Sequence, residues 1–255
     1  MSVVRAEWSK ARTLPSTPWL LLGLVVLTVA VGVLAATTLH VRECVDAVHC
    51  GEDFARVSLS GLWLSQAIAA VVGVLSLGNE YGTRMMTVTV VAVPHRLRVF
   101  GSKALVVLAL VLTPAVPSVV AAIALSRPIF ERNGFALPEA FTRASLRAAG
   151  GTVLYLGLVA LLALGVTAVV RDTAASLSVV LVLLYASPAL ALIVSDPAWS
   201  ERLHQFSPLL AGMAIQTTTN VDALSINPWG GLGVLALWTI AALVPGASSF
   251  LVRDV

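Results

Sequence analysis

Residues 148–194 read AAGGTVLYLGLVALLALGVTAVVRDTAASLSVVLVLLYASPALALIV. Two apolar runs, 148–170 and 173–194, lie on either side of the charged pair Arg171-Asp172, and neither contains Asp, Glu, Lys, Arg or His. A helix needs roughly 20 such residues to cross the hydrocarbon core of a bilayer, so each run reads as a spanning helix. Four more charge-free runs of similar length follow the same logic: 18–39, 57–77, 104–126 and 228–252. The chain therefore reads as one all-α transmembrane domain, 1–255, with six spans. Composition agrees: 58% of the 255 residues are apolar and 11% are charged, against about 25% charged in soluble domains. The first run outlasts the roughly 7–15 apolar residues of a signal peptide and is taken as an uncleaved span.

Charges summed on alternate sides of six spans set the expected orientation. The side of the N terminus holds nine cations, Arg5, Lys10, Arg12, Arg84, Arg96, Arg98, Lys103, Arg171 and Arg253, against Glu7, Glu80, Asp172 and Asp254. The other side holds seven cations and nine acids. Both termini are thus expected in the cytoplasm. A net charge of +3, spread between apolar runs, suggests no nucleic-acid partner. Pro114, Pro117, Pro188 and Pro245 are expected to bend their helices, and Trp19 and Trp229 to anchor span ends at the membrane interface.

Ion-coupled transporters and intramembrane hydrolases keep ionisable groups at membrane depth. The six runs contain none, all four histidines lie between runs, and no His-Glu-x-x-His or phosphate-binding Gly-x-x-x-x-Gly-Lys motif occurs. No catalytic, cofactor or metal set is expected in this chain, and a pump would draw ATP and Mg from a separate subunit.

Residues 78–103, GNEYGTRMMTVTVVAVPHRLRVFGSK, exceed the roughly two to eight residues of an ordinary helix connection. Glu80 and Arg84 are four apart, in the order that favours pairing on a helix. Met85, Met86 and the valines give the segment an apolar surface up to Pro94. It suits either the membrane surface or a groove on a soluble partner.

In this segment Glu80-Tyr81, Thr83, Met85, Thr89, Ala92, Pro94, Arg96 and Lys103 resemble, in order and spacing, the loop after the second helix of ABC-2-type transporter permeases. The resemblance implies that 80–93 is a coupling helix seated in a cleft of an ATP-binding subunit. It marks Glu80, Tyr81, Thr83, Arg84, Met85, Thr89, Pro94, Arg96 and Arg171 as coupling residues. Arg5-Ala6-Glu7-Trp8-Ser9-Lys10 is similar to the opening of actinobacterial members, which implies a short interfacial helix before the first span. Arg171-Asp172-Thr173-Ala174 resembles the tight turn between the fourth and fifth spans, and Pro228-Trp229-Gly230 with Arg253-Asp254 the two ends of the sixth. Arg84 and Val90 depart from the family's usual Gly and Leu.

By the same resemblance the substrate path lies between two permease copies, along the second and fifth spans. Trp63, Gln66, Tyr185 and Ser187 are its candidates, with packing or helix-to-helix hydrogen bonding as the competing role. A charge-free wall suits a hydrophobic or amphipathic substrate. Residues 195–227 contain the short apolar stretch 209–215, read as a surface helix or, by resemblance, as an outer re-entrant pair of short helices. Phe130, Phe135 and Phe141 are expected to dip into the outer headgroups. Cys44 and Cys50 lie in the first outer loop, where they can form a disulfide, stay as thiols, or bind metal with His40 or His49.

The resemblance thus implies a permease subunit of an ATP-driven exporter in a bacterial plasma membrane, working as two copies with two ATP-binding subunits. Rival readings are a channel or immunity protein, a membrane scaffold, and a copper-site assembly permease of the same fold.

Overall fold

The computed structural model describes residues 2–38, 53–82, 96–135, 142–193 and 196–252. Ten α-helices occur among them: α1 Ser2–Thr13, α2 Ser16–Thr38, α3 Phe54–Ser58, α4 Leu62–Gly82, α5 Arg96–Arg132, α6 Arg143–Val170, α7 Thr173–Ile193, α8 Pro197–Phe206, α9 Pro208–Met213 and α10 Pro228–Val252. The described residues form no strand. Six of the helices, α2, α4, α5, α6, α7 and α10, are long and apolar enough to cross a membrane. The chain is an all-α membrane protein.

α6 is the most buried of the six and packs against α4, α5, α7 and α10, while α2 leans on α5 and α4. Small residues make this central position possible. A Cβ on Gly73 of α4 would lie 2.2 Å from the Ala160 carbonyl oxygen of α6, and one on Gly165 of α6 would lie 2.7 Å from the Ala242 carbonyl carbon of α10. Backbones that approach this closely gain dispersion contacts, which take over from the hydrophobic effect where lipid is as apolar as the side chains.

Local signals set the helix ends. Thr142 caps α6, its hydroxyl accepting from Ser145 N–H at 3.1 Å. The other end closes at Arg171, in the left-handed region (φ 63°), whose N–H reaches the Thr167 carbonyl. Asp172 then caps α7 by accepting from Ala175 N–H at 2.7 Å. Arg171 and Asp172 therefore make a two-residue turn between the spans.

Several expected boundaries move. The second span was expected at 57–77, but 54–58 forms the separate helix α3 and the span proper is Leu62–Gly82. Asp53 caps α3, and the corner at Gly61 lies so close to α2 that a Cβ there would meet the Thr28 carbonyl oxygen at 2.3 Å. The third span, expected at 104–126, runs from Arg96 to Arg132 and continues through Pro114, Pro117 and Pro128. Phe130 does not face outward: it is buried, in edge-to-face contact with Phe54 at 5.1 Å and near Phe135 at 5.2 Å. Phe141 lies outside the described residues. Trp19 and Trp229 stand exposed at the starts of α2 and α10.

The apolar stretch after α8 is an inserted short helix. Leu209, Ala211 and Gly212 of α9 are buried, and α9 packs on α10 and α7. A Cβ on Gly231 of α10 would lie 2.0 Å from the Ala211 carbonyl oxygen.

These contacts make a specific prediction. Gly73→Ala should lower stability by about 1–3 kcal/mol through overpacking against α6. Gly101→Ala, where nothing lies within 4 Å, should be neutral or stabilising by about 0.5–1 kcal/mol. Thermal unfolding of the purified variants in detergent compares the two.

Candidate functional site

The end of the bundle that holds the N terminus carries a cluster of four charges. Lys103, in the second turn of α5, donates to Glu80 Oε1 at 2.6 Å and to Glu7 Oε2 at 2.7 Å. Lys10 donates to the same Glu80 oxygen. Glu80 and Lys103 are each 2% exposed. A single charge withdrawn from water this far costs several kcal/mol, and two cations interleaved with two anions offset much of that cost. Glu7 and Lys10 are three apart on α1 and so share the face turned to α5.

The cluster bridges the segment read as the coupling element. Glu80 closes the last turn of α4 and Lys103 lies near the start of α5, so their hydrogen bond joins the two helices that the chain leaves and re-enters around 83–95. A second tether lies beside it. The Arg171 guanidinium sits 5.8 Å from the centre of the Tyr81 ring and donates to the Ser249 carbonyl of α10 at 2.9 Å. The Ser249 hydroxyl in turn donates to the Ala168 carbonyl at 2.9 Å. Together the two tethers connect α1, α4, α5, α6 and α10 at one end of the molecule.

Of the residues singled out for coupling, Glu80, Tyr81 and Arg171 meet here, and Arg96 opens α5. Thr83, Arg84, Met85, Thr89 and Pro94 lie outside the described residues, as do Cys44 and Cys50. Two expectations change. Glu80 was read as the start of a segment beyond the second span; it belongs to α4 and pairs with Lys10 and Lys103. Spans free of charge were also expected, yet α4 and α5 each carry a buried charge near one end, because each supplies the other's counter-ion.

Neither a protein-family model nor a curated protein matches the chain.

Three of the four path candidates come together, Gln66 buried and Trp63 at the exposed edge of the group. Trp63 and Gln66 lie on α4 and Tyr185 on α7; the Tyr185 hydroxyl donates to the Trp63 carbonyl, which also accepts from Gln66 Nε2 at 3.2 Å. Gln66 is buried, and its Oε1 accepts from the Tyr155 hydroxyl of α6 at 2.5 Å. Ser187 stands apart: its hydroxyl is buried without a hydrogen-bond partner among the described residues. Tyr155 escaped the sequence reading because one tyrosine in a long apolar run has no local partner to mark it.

The opposite end is also tied. Asp53, 7% exposed, accepts from the backbone and hydroxyl of Thr218, the latter at 2.7 Å, and from Thr219 N–H at 3.1 Å. Arg147 donates to the Thr217 carbonyl. Gln216 Nε2 reaches the Thr152 hydroxyl at 3.2 Å and the Leu59 carbonyl at 3.4 Å. These bonds fasten the turn after α9 to α3 and α6. The signal available in sequence was Asp53 before an apolar run, a helix-cap pattern; its second role depends on residues 165 positions away.

The two lysines should differ sharply on replacement. Lys103→Ala leaves Glu7 and Glu80 short of a buried partner and should cost about 3–5 kcal/mol. Lys10 is 36% exposed, so Lys10→Ala should cost about 1 kcal/mol or less. Unfolding temperatures of the two variants in the same detergent check the order.

Proposed function

We propose that this chain is the permease subunit of an ATP-driven exporter of the ABC-2 type, acting in a bacterial plasma membrane with both termini in the cytoplasm. Two copies work with two ATP-binding subunits, which bind ATP and Mg and hydrolyse the nucleotide. The cargo is a hydrophobic or amphipathic molecule. The observation that carries this reading is the charged corner, because both ends of 83–95 enter helices joined by the Glu80–Lys103 bond.

A push delivered to 83–95 by a closing pair of ATP-binding subunits would reach α4 and α5 as one body. The lysine cluster extends that body to α1, and Arg171 extends it to α6 and α10. Such linkage suits a rigid-body tilt of packed helices, the kind of motion by which a small local displacement becomes a change of access. Along the cargo path, α4 and α7 offer Trp63, Gln66 and Tyr185 with no ionised group. The exposed apolar side chains Val179, Val182 and Leu190 of α7 leave that helix available to lipid or to a second copy.

The test separates coupling from folding. Arg84→Ala combined with Met85→Ala should lower substrate-stimulated ATP hydrolysis of the co-purified complex by about tenfold, equivalent to ~1.4 kcal/mol, and leave the unfolding temperature unchanged. Full retention of hydrolysis and of subunit association would overturn the reading, as would purification of an active chain with no ATP-binding partner.

A further inference from the structure

The charged corner is the rim of a cavity. A space of about 260 Å³ lies between α1, α2, α4 and α5, larger than the ~150 Å³ engineered cavity that accommodates benzene. Its lining grades from charged to apolar along three helices at once. On α4 it runs from Glu80 through Ser76 to Val72, on α5 from Lys103 through Val107 to Leu110, and on α2 from Ser16 to Leu20. From Glu80 to Val72 the helix rises about 12 Å. The polar end coincides with the ends of the spanning helices and the apolar end lies inside them.

One group at the polar end has an unused valence. Glu80 Oε1 takes both lysines, whereas Glu80 Oε2 is buried and has no hydrogen-bond partner among the described residues. A buried carboxylate oxygen without a donor is costly, and it calls for an N–H or O–H. Lys10, beside it and partly exposed, offers a cation to an anionic group. The four side chains sum to zero charge, so an occupant with no net charge keeps the corner neutral.

We propose that this cavity binds a membrane phospholipid whose head ends in a primary amine, of the phosphatidylethanolamine class. The ammonium donates to Glu80 Oε2, the phosphate lies toward Lys10, and the upper part of one acyl chain follows the wall formed by Leu20, Val72, Val107 and Leu110. The gradient of the lining fixes the orientation, since it parallels the gradient a lipid meets in a bilayer. A trimethylated head has the same charge and no N–H to donate, and so satisfies the phosphate side alone.

The experiment uses the full chain in vesicles containing equal parts of phosphatidylethanolamine, phosphatidylcholine and phosphatidylglycerol with identical acyl chains. The protein is extracted in mild detergent and its retained lipids are counted by native mass spectrometry. The ethanolamine lipid should be retained roughly tenfold over the choline lipid, as one hydrogen bond to a charged acceptor gives. Glu80→Gln should bring the ratio to parity. If that variant does not fold, Leu75→Trp decides, because it keeps all four charges and fills the apolar end; it too should abolish the enrichment. Equal retention of ethanolamine and choline lipids by the unaltered protein, preference for the glycerol lipid, or enrichment that survives Leu75→Trp would each overturn the proposal.

Discussion

An ammonium group held away from water must have its N–H groups accepted and its charge balanced, and Lys103 has two carboxylates within hydrogen-bond reach. The position of α1 follows from that requirement. Without Glu7 the lysine would have a single carboxylate already shared with Lys10, so the N-terminal helix is bound to the α4–α5 corner by charge as well as by packing. The need for a counter-ion also explains why α4 extends past its apolar run to Gly82: Glu80 can enter the buried end of a helix because its charge is met there.

The interior obeys a different constraint. At the centre the helices meet through glycines and alanines, and most buried hydroxyls donate to backbone carbonyls one turn back along their own chain instead of to ions. Gln66, Tyr155 and Tyr185 form a neutral network around one backbone carbonyl. Charge is thus kept to the two ends, where α1 and the 217–219 turn supply counter-groups, and excluded from the middle, where no water would screen it.

The six spans were legible because each is a charge-free run, a property of consecutive residues. The fifth, the sixth and the end of the fourth matched closely, since Arg171-Asp172 and Pro228 mark them locally, whereas the fourth begins at Arg143, five residues before its charge-free run. The second and third shifted for the opposite reason. Whether Glu80 and Lys103 count as loop or helix depends on their meeting each other across 23 residues and Glu7 across 96, and hydropathy treats each charge as if it were alone. Phe130 was misplaced in the same way: an aromatic after a span reads as interfacial until Phe54 is known to lie against it. Of the residues singled out by resemblance, Trp63, Gln66 and Tyr185 are joined by hydrogen bonds, while Tyr155, Asp53 and Gln216 acquire meaning only through distant partners.

The turn at Arg171 and Asp172 bears on how the chain is made. A connection of two residues gives no slack, so α6 cannot settle across a bilayer while α7 waits outside it. A turn this short favours entry of the pair into the bilayer together, as a hairpin. That hairpin exists before its closing contact can form, because the Ser249 carbonyl that receives Arg171 belongs to α10, the last of the six spans to be synthesised. Until α10 arrives, the guanidinium has the Tyr81 ring of α4 beside it but lacks its carbonyl acceptor. The Arg171–Ser249 bond can therefore form only once α10 is made, when the bundle closes around α6.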